Sequence, residues 1–300
     1  MAELNSASED GNEIAFTQIW AVYFSPTGST KTVALSLAYW LGKALGLPVK
    51  EVDFTSPEAR KKIYPFGEQD FVVFASPVYA GRLPNKIAPD YARCFLGAQT
   101  VAVPVVVFGN RSPDGAWMEF RQILEENGFL IAGGAAVASR HAFTDRVGTG
   151  RPNADDESEV CAFAEYLADQ CRDPEGMLVL NPAPEEELPP YYTPLKEDGT
   201  PANFLKAVPV TDREKCDHCG LCREACPMGS INEDMDTKGI CIKCQACVRK
   251  CPKKAKYFTD EDFLSHVRYL EKYCTKRAEN DFIYAGDPKL KQEEEDDWYE

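Results

Sequence analysis

Between residues 14 and 169 short apolar runs alternate with stretches whose apolar positions recur every three or four residues. The runs at 14–24, 49–53, 71–75, 105–108 and 129–138 read as strands, and the segments between them as amphipathic helices, the pattern of a doubly wound parallel sheet. In the first such segment Val33, Leu37, Trp40, Leu41 and Ala44 fall on one helical face, and Gly46 suits a stop just beyond it. After Asn153, the residues Val160, Phe163, Ala164 and Leu167 repeat this arrangement. Pro104 interrupts the fourth apolar run and is expected as a strand's first residue, because proline donates nothing to a ladder.

From 172 to 209 the periodicity vanishes. N-P-A-P-E-E-E-L-P-P-Y-Y-T-P is rich in proline and acid and predicts an extended linker stiffened by proline. Its Tyr191 and Tyr192 are candidates to pack on a neighbouring domain, without indication of which. Beyond 209 the chain turns cysteine-rich. At its end Thr259 is placed to cap a helix with Phe263, Leu264, Val267, Leu270 and Cys274 on one side. Residues 1–12 and the closing E-E-E-D-D-W-Y-E read as solvated tails. The expected organisation is a tail at 1–12, an α/β domain at 13–171, a linker at 172–209, a small cysteine-rich domain at 210–258 and a C-terminal helix with acidic tail at 259–300.

The 300 residues are 44% hydrophobic and 11% aromatic, enough for packed cores, and carry a formal net charge of −15. That charge excludes nucleic acid as the main partner, since phosphate binding needs clustered basic residues. No apolar run approaches the roughly 18 residues of a membrane helix. The polar start lacks a signal core, so a cytoplasmic protein without membrane insertion is expected. In such a compartment thiols stay reduced, so the 12 cysteines predict metal or cluster binding rather than disulfides.

Eight of them form an internal repeat. Cys216, Cys219, Cys222 and Cys226 recur 25 positions later as Cys241, Cys244, Cys247 and Cys251, each set ending in Cys-Pro. Both sets fit C-x2-C-x2-C-x3-C-P, the spacing of bacterial ferredoxins with two [4Fe–4S] clusters, and the resemblance runs from about Val210 to Phe258. A pair of tetrahedral zinc sites would leave the third cysteine of each triplet without a use. At this spacing the fourth cysteine of one set serves the other set's cluster. Cys216, Cys219, Cys222 and Cys251 are thus expected on one cluster, and Cys241, Cys244, Cys247 and Cys226 on the other. Ferredoxins of this kind place an aliphatic residue five positions after the fourth cysteine. Ile231 obeys, whereas Lys256 departs, so either the second half packs differently or this lysine reaches solvent. Ten Lys and Arg against seven Asp and Glu make Thr211–Phe258 basic within an acidic chain. Lys250, Lys253, Lys254 and Lys256 around Cys251 are either a contact for an acidic redox partner or a solvated loop.

The α/β part carries three loops of interest. F-S-P-T-G-S-T-K, from Phe24 to Lys31, leads from the first strand into the first helix, where backbone N–H groups and hydroxyls make an anion site. It matches neither the nucleoside-triphosphate loop nor the dinucleotide fingerprint. S-P-V-Y-A-G follows the third strand and F-G-N-R ends the fourth. In this order the three motifs resemble a flavodoxin-like, FMN-binding domain. With the cysteine repeat, the whole chain resembles the fused flavodoxin–ferredoxin proteins of anaerobes, the EFR-type ferredoxins, as does G-R-P-N at 150–153. The resemblance implies an α/β, flavodoxin-like, doubly wound five-stranded parallel sheet of order 2-1-3-4-5, followed by a small α+β two-[4Fe–4S] ferredoxin-like domain. It implies phosphate contacts from Ser25, Thr27, Gly28, Ser29 and Thr30. Ring contacts are implied from Ser76, Pro77, Val78, Tyr79, Ala80 and Gly81, and from Phe108, Gly109, Asn110 and Arg111, with Tyr79 stacking on the isoalloxazine. Pro113 stands where a second covering aromatic is usual, so one flavin face is open or Trp117 substitutes.

The implied function is electron relay between two [4Fe–4S] clusters, a bound FMN and partner redox proteins, with a ferredoxin-like donor and an unnamed acceptor. The alternative is an FMN-dependent reductase of a small molecule fed by the clusters. His141 would suit that alternative as a proton donor, although a structural role is the plainer reading. His218, between two ligand cysteines, is expected in solvent. Cys94, Cys161, Cys171 and Cys274 are expected as small buried hydrophobes, Cys161 and Cys171 on one helix face.

Overall fold

The computed structural model describes residues 16–173, 176–184 and 187–286. The two tails, and Ile14 at the start of the first apolar run, lie outside them. Five parallel strands form the body of one sheet: β1 (Gln18–Tyr23), β2 (Val49–Asp53), β3 (Asp70–Pro77), β4 (Thr100–Phe108) and β5 (Gly133–Ala138). They lie in the order β2-β1-β3-β4-β5, reversing direction of travel between β1 and β3. This is the flavodoxin-like order, and its switch point is the place where such sheets bind ligands.

Four helices cover the sheet: α1 (Ser29–Leu45), α2 (Ala88–Cys94), α3 (Ala116–Glu126) and α4 (Ala154–Arg172). The pleat sends Ile19, Ala21 and Tyr23 into the layer of α1 and α4, and Val22 and Phe24 into the layer of α2 and α3. Both faces are thereby buried, and every residue of β4 is. The Asn153 side chain accepts from the N–H groups of Asp155 and Asp156 to start α4, while the Asp156 carboxylate accepts from the Asn153 N–H.

Pro104 lies inside β4, not at its start. Thr100–Ala102 pair with a short strand, Phe129–Ile131, and Val105–Phe108 with β5. Thr100 faces Phe129 but Val105 faces Ala135, so one extra residue is inserted opposite Val103 and Pro104. The proline stands where the ladder is already interrupted, and its carbonyl accepts from the Trp117 indole at 3.1 Å. The same insertion splits the single run expected at 129–138.

The chain returns to this sheet after the cysteine repeat. Helix α5 (Glu261–Tyr273) is capped by Asp260, one residue later than expected, whose carboxylate accepts from the Phe263 N–H at 2.9 Å. Strand β6 (Asp281–Tyr284) then pairs antiparallel with β5 and closes that edge. Periodicity could not reveal a four-residue strand. The linker is docked along its length. Leu180 N–H donates to Ile131 O at 2.8 Å, Tyr192 N–H to Ala80 O at 2.8 Å, and Arg82 Nη1 to Pro189 O at 2.8 Å. Proline-rich chain offers carbonyls with few N–H partners, and arginines on the α/β part meet them.

The return is anchored at Asp156, which has no exposed surface. It accepts from Arg151, Arg277 and Asn280 side chains at 2.6, 2.9 and 3.0 Å. Burial alone would raise this carboxyl, but Arg151, the Asn153 N–H and Asn280 outweigh it and bring it to about 2. Truncation to Ala would leave Arg151 buried without its partner, so Asp156→Ala should lower unfolding free energy in urea by about 3–5 kcal/mol. Because the folded carboxyl is depressed, its stabilisation is present above about pH 4 and is lost toward pH 2, by roughly 2 kcal/mol. Urea midpoints across that interval should fall less steeply in Asp156→Asn than in the wild type. An identical acid dependence would refute the assignment.

Candidate functional site

The two halves of the cysteine repeat fold alike. Left-handed residues recur at the same offsets: His218 and Lys243 at φ 58° and 57°, Gly220 and Gln245 at 80° and 67°, Gly229 and Lys254 at 60° and 51°. Single helical turns, Leu221–Glu224 and Ala246–Arg249, follow the second of these pairs. In each half an N–H four residues after the last cysteine donates to its sulfur, Ser230 to Cys226 at 3.3 Å and Ala255 to Cys251 at 3.2 Å. A short antiparallel pair, Val210–Thr211 with Lys256–Tyr257, ties the ends together.

These loops line two cavities. Cys226, Cys241, Cys244 and Cys247 line the first; Cys216, Cys219, Cys222 and Cys251 line the second. The grouping pairs each triplet with the fourth cysteine of the other half. Burial raises the Cys244 thiol and pushes Cys247 up to about 12, so both are neutral until a metal displaces their protons.

The first cavity faces the sheet. Met228 and Ile242 in its wall also pack against the core of the α2/α3 layer, and buried Arg60 donates to the Pro227 carbonyl. From the other side Arg249 donates to Ala142 O at 2.8 Å and His141 O at 3.0 Å, and pairs with Asp145 at 2.8 Å. Phe143 meets Phe263 of α5 with ring centroids 4.8 Å apart. The second cavity is outermost, with Cys219 and His218 exposed. Lys250, Lys253 and Lys254 are exposed too, whereas Lys256 is 2% exposed. It neither reaches solvent nor greets a partner. Its ammonium donates to Thr211 Oγ1 at 2.9 Å and to the Met235 carbonyl.

The three loops singled out in the α/β part lie at the carboxyl ends of β1, β3 and β4. Ser25 Oγ accepts from the Lys31 N–H at 2.9 Å, and Gly28 O from the Thr32 N–H at 3.0 Å. Among the described residues no partner is recorded for the N–H groups of Gly28, Ser29 and Thr30 at the α1 N-terminus. Gly28 has φ +101° and open space beside it, a backbone that a side chain would strain. Thr27 and Ser29 are half-buried and Thr30 is buried. Ser76, Gly81 and Phe108 are buried, with Pro77, Val78 and Ala80 half-buried around them. Burial drives the Tyr79 phenol far above its ordinary range.

The fourth-strand loop is engaged by the protein itself. The Asn110 amide donates to the carbonyls of Cys274 and Lys276, both at 2.9 Å, and its oxygen accepts from the Ala278 N–H at 3.1 Å. Arg111 pairs with Asp114 and lies 4.0 Å over the Tyr192 ring. Gly109 approaches the His141 ring so closely that a Cβ would stand 2.4 Å from it. Trp117 is packed near Gly134 at the sheet, away from this loop. His141 accepts from the Phe143 N–H at Nδ1, 3.1 Å, and burial pushes it down to about 3, so it is a neutral structural ring. Cys94 and Cys171 are buried. Cys161 is instead half-exposed beside Glu165, because ten residues turn it away from Cys171. Arg60 and Arg249 gave no signal in the sequence, since their roles depend on contacts across domains, and Tyr192, a candidate for packing, meets Arg111 and Ala80 of the α/β part.

Family models described as 4Fe-4S binding domain match residues 209–232 and 238–257. One ferredoxin of Methanocaldococcus jannaschii is 35% identical over 54 residues, covering 15% of this chain and 70% of its own length. The chain belongs to the ferredoxin family. A second ferredoxin of that organism is 30% identical over 93 residues, 29% of this chain and 56% of its own, so the chain spans about half of that relative. Among solved structures, a flavodoxin from the domain Archaea matches 52% of this ferredoxin and 100% of its own chain, at 13% identity and a TM-score of 0.37. A flavodoxin of Streptococcus pneumoniae TIGR4 matches 51% and 99%, at 20% and 0.37. The flavodoxin-like character of the sheet is carried by its strand order. Among the described residues no helix is long and apolar enough to cross a membrane.

If each cavity seats one cluster, Cys226→Ala and Cys244→Ala should disturb the same paramagnetic signal after reduction, and Cys219→Ala the other. A Cys226→Ala spectrum that matches Cys219→Ala would overturn the grouping.

Proposed function

We propose that this ferredoxin relays low-potential electrons between two [4Fe–4S] clusters, an FMN at the sheet edge and partner redox proteins, in the manner of the fused flavodoxin–ferredoxin proteins it resembles. The observation that carries the proposal is the docking of the first cavity on the sheet. Met228 and Ile242 of its wall join the same apolar cluster as Val78, in the loop that would hold the flavin ring. When bound, each cluster supplies one-electron exchange and FMN one- or two-electron exchange.

The chain's own residues fit such a group best at its phosphate end. Gly28, Ser29 and Thr30 offer N–H groups at a helix N-terminus, Thr27 and Ser29 offer hydroxyls, and the helix dipole adds a favourable field. The ring end would rest on residues 76–81 and Gly109, because Asn110 and Arg111 are committed to the C-terminal segment and to Tyr192. His141 favours the relay over the reductase. A neutral ring that accepts a backbone N–H at Nδ1, under Arg249 and beside Gly109, is poorly placed to deliver a proton to a small molecule.

Protein purified without oxygen should hold about eight iron, eight sulfide and one FMN per chain; stoichiometric zinc with little sulfide would sink the cluster half of the proposal. Each hydrogen bond to a charged phosphate contributes on the order of 1.5–3 kcal/mol. Thr27→Val with Ser29→Ala should therefore lose most of the FMN while retaining iron, as read by flavin fluorescence after acid release. The wild type should take electrons quickly from a reduced ferredoxin and only negligibly from NADH or NADPH, since no dinucleotide fingerprint is present. Fast, saturable flavin reduction by NAD(P)H would promote the reductase.

A further inference from the structure

Among the buried positions at which the two halves of the cysteine repeat differ, one exchanges an apolar side chain for a charged one. Five residues after the fourth cysteine stands Ile231 in the first half and Lys256 in the second, 5% and 2% exposed. Each lines the cavity that its own fourth cysteine enters. Among the described residues the ion pairs of the cysteine-rich module all involve other lysines and arginines, and the Lys256 ammonium meets the Thr211 hydroxyl and the Met235 carbonyl. A buried ammonium without a counter-charge is costly, and the negative groups able to face it are the thiolates of a loaded cluster.

We propose that Lys256 sets the cluster potentials, making the cluster held by Cys216, Cys219, Cys222 and Cys251 the more easily reduced of the two. This rests on the reading of both cavities as cluster seats. Reduction moves one electron from an external reductant onto a cluster and adds one negative charge beside the ammonium. In a poorly screened interior that attraction favours the reduced form.

Other contributions do not reverse the order. The N–H···S bonds from Ser230 and Ala255 are matched between halves. Asp217 and Lys253, both lining the outer cavity, lie 3.9 Å apart and offset each other. Lys243 lines the inner cavity and is half-buried, its ammonium donating to the Leu205 and Cys241 carbonyls at 2.7 and 3.3 Å. Its bond to Leu205 lies at an exposed site, so water reaches this charge as it does not reach Lys256. The inner cavity is also buried against the sheet, and low polarity disfavours added negative charge there. The Lys256 field reaches Cys247 and Cys241 as well, so its removal should lower both potentials, the outer one more. Electrons would then rest on the outer cluster, at the exposed end, and visit the inner cluster only in passing.

The test is potentiometric titration with dithionite, each cluster followed by its paramagnetic signal, with iron and sulfide assayed on the same samples. Wild type should show two unequal one-electron steps. Lys256→Gln, which keeps hydrogen-bond donors but removes the charge, should lower the reduced-to-oxidised ratio of the outer cluster at least tenfold at fixed potential, which is 59 mV for one electron. Lys256→Arg should restore it. The reciprocal Ile231→Lys should raise the inner cluster tenfold and narrow the gap. Should Lys256→Gln shed its iron, Ile231→Lys decides. Coincident steps in the wild type overturn the proposal. So does an outer cluster unmoved in a Lys256→Gln protein that holds eight iron, or an Ile231→Lys protein with an unmoved inner cluster. Wild type lacking about eight iron would fail the cluster reading itself, which is a different result.

Discussion

A carboxylate with no exposed surface holds the two parts of this molecule together. Asp156 gathers Arg151 from its own loop and Arg277 and Asn280 from the segment that returns after the cysteine repeat. From that knot, Ala278 reaches Asn110 at the end of β4, and β6 pairs along the edge of β5. Remove the charge and the buried guanidinium is left uncompensated. The C-terminal segment would then be held to the sheet mainly by the four-residue β6.

The cysteine-rich module needs that support. About fifty residues wrapped around two cavities cannot build a core of their own. Its buried apolar contacts are small clusters, one of which includes ligand cysteines, and another of which borrows Phe143 from the α/β part. What it lacks is supplied by the sheet edge, through Met228 and Ile242 on one side and Arg249 on the other. Docking there has a functional consequence. A parallel sheet collects the loops of all its strands at one edge, so covering that edge brings Met228 and Ile242 of the inner cavity's wall into the same apolar cluster as Val78.

The two halves of the repeat share left-handed residues, a helical turn and an N–H···S bond at the same offsets, yet their surroundings differ. One cavity is walled by Ile231 and pressed against the sheet, the other by a buried lysine and open toward solvent at Cys219. A duplicated motif thus presents two unequal environments for chemically identical sites.

The sequence by itself determined whatever depends on local spacing. Cysteines three residues apart define each loop, residues at helical intervals define α1 and α4, and the order of apolar runs and Gly-containing turns defines a five-stranded parallel sheet. What escaped it depends on partners far along the chain. Pro104 is tolerated inside β4 because an insertion 30 residues later interrupts the ladder beside it. The linker is docked because Arg82 and Arg121 donate hydrogen bonds to its carbonyls. Lys256 reads as a surface lysine until the strand pair with Thr211 turns it inward. Asn110 looks like a ligand contact until the returning segment claims its amide. Spacing is a property of the chain, whereas burial and pairing belong to surfaces that exist only once distant segments have met, so only the tertiary structure could decide them.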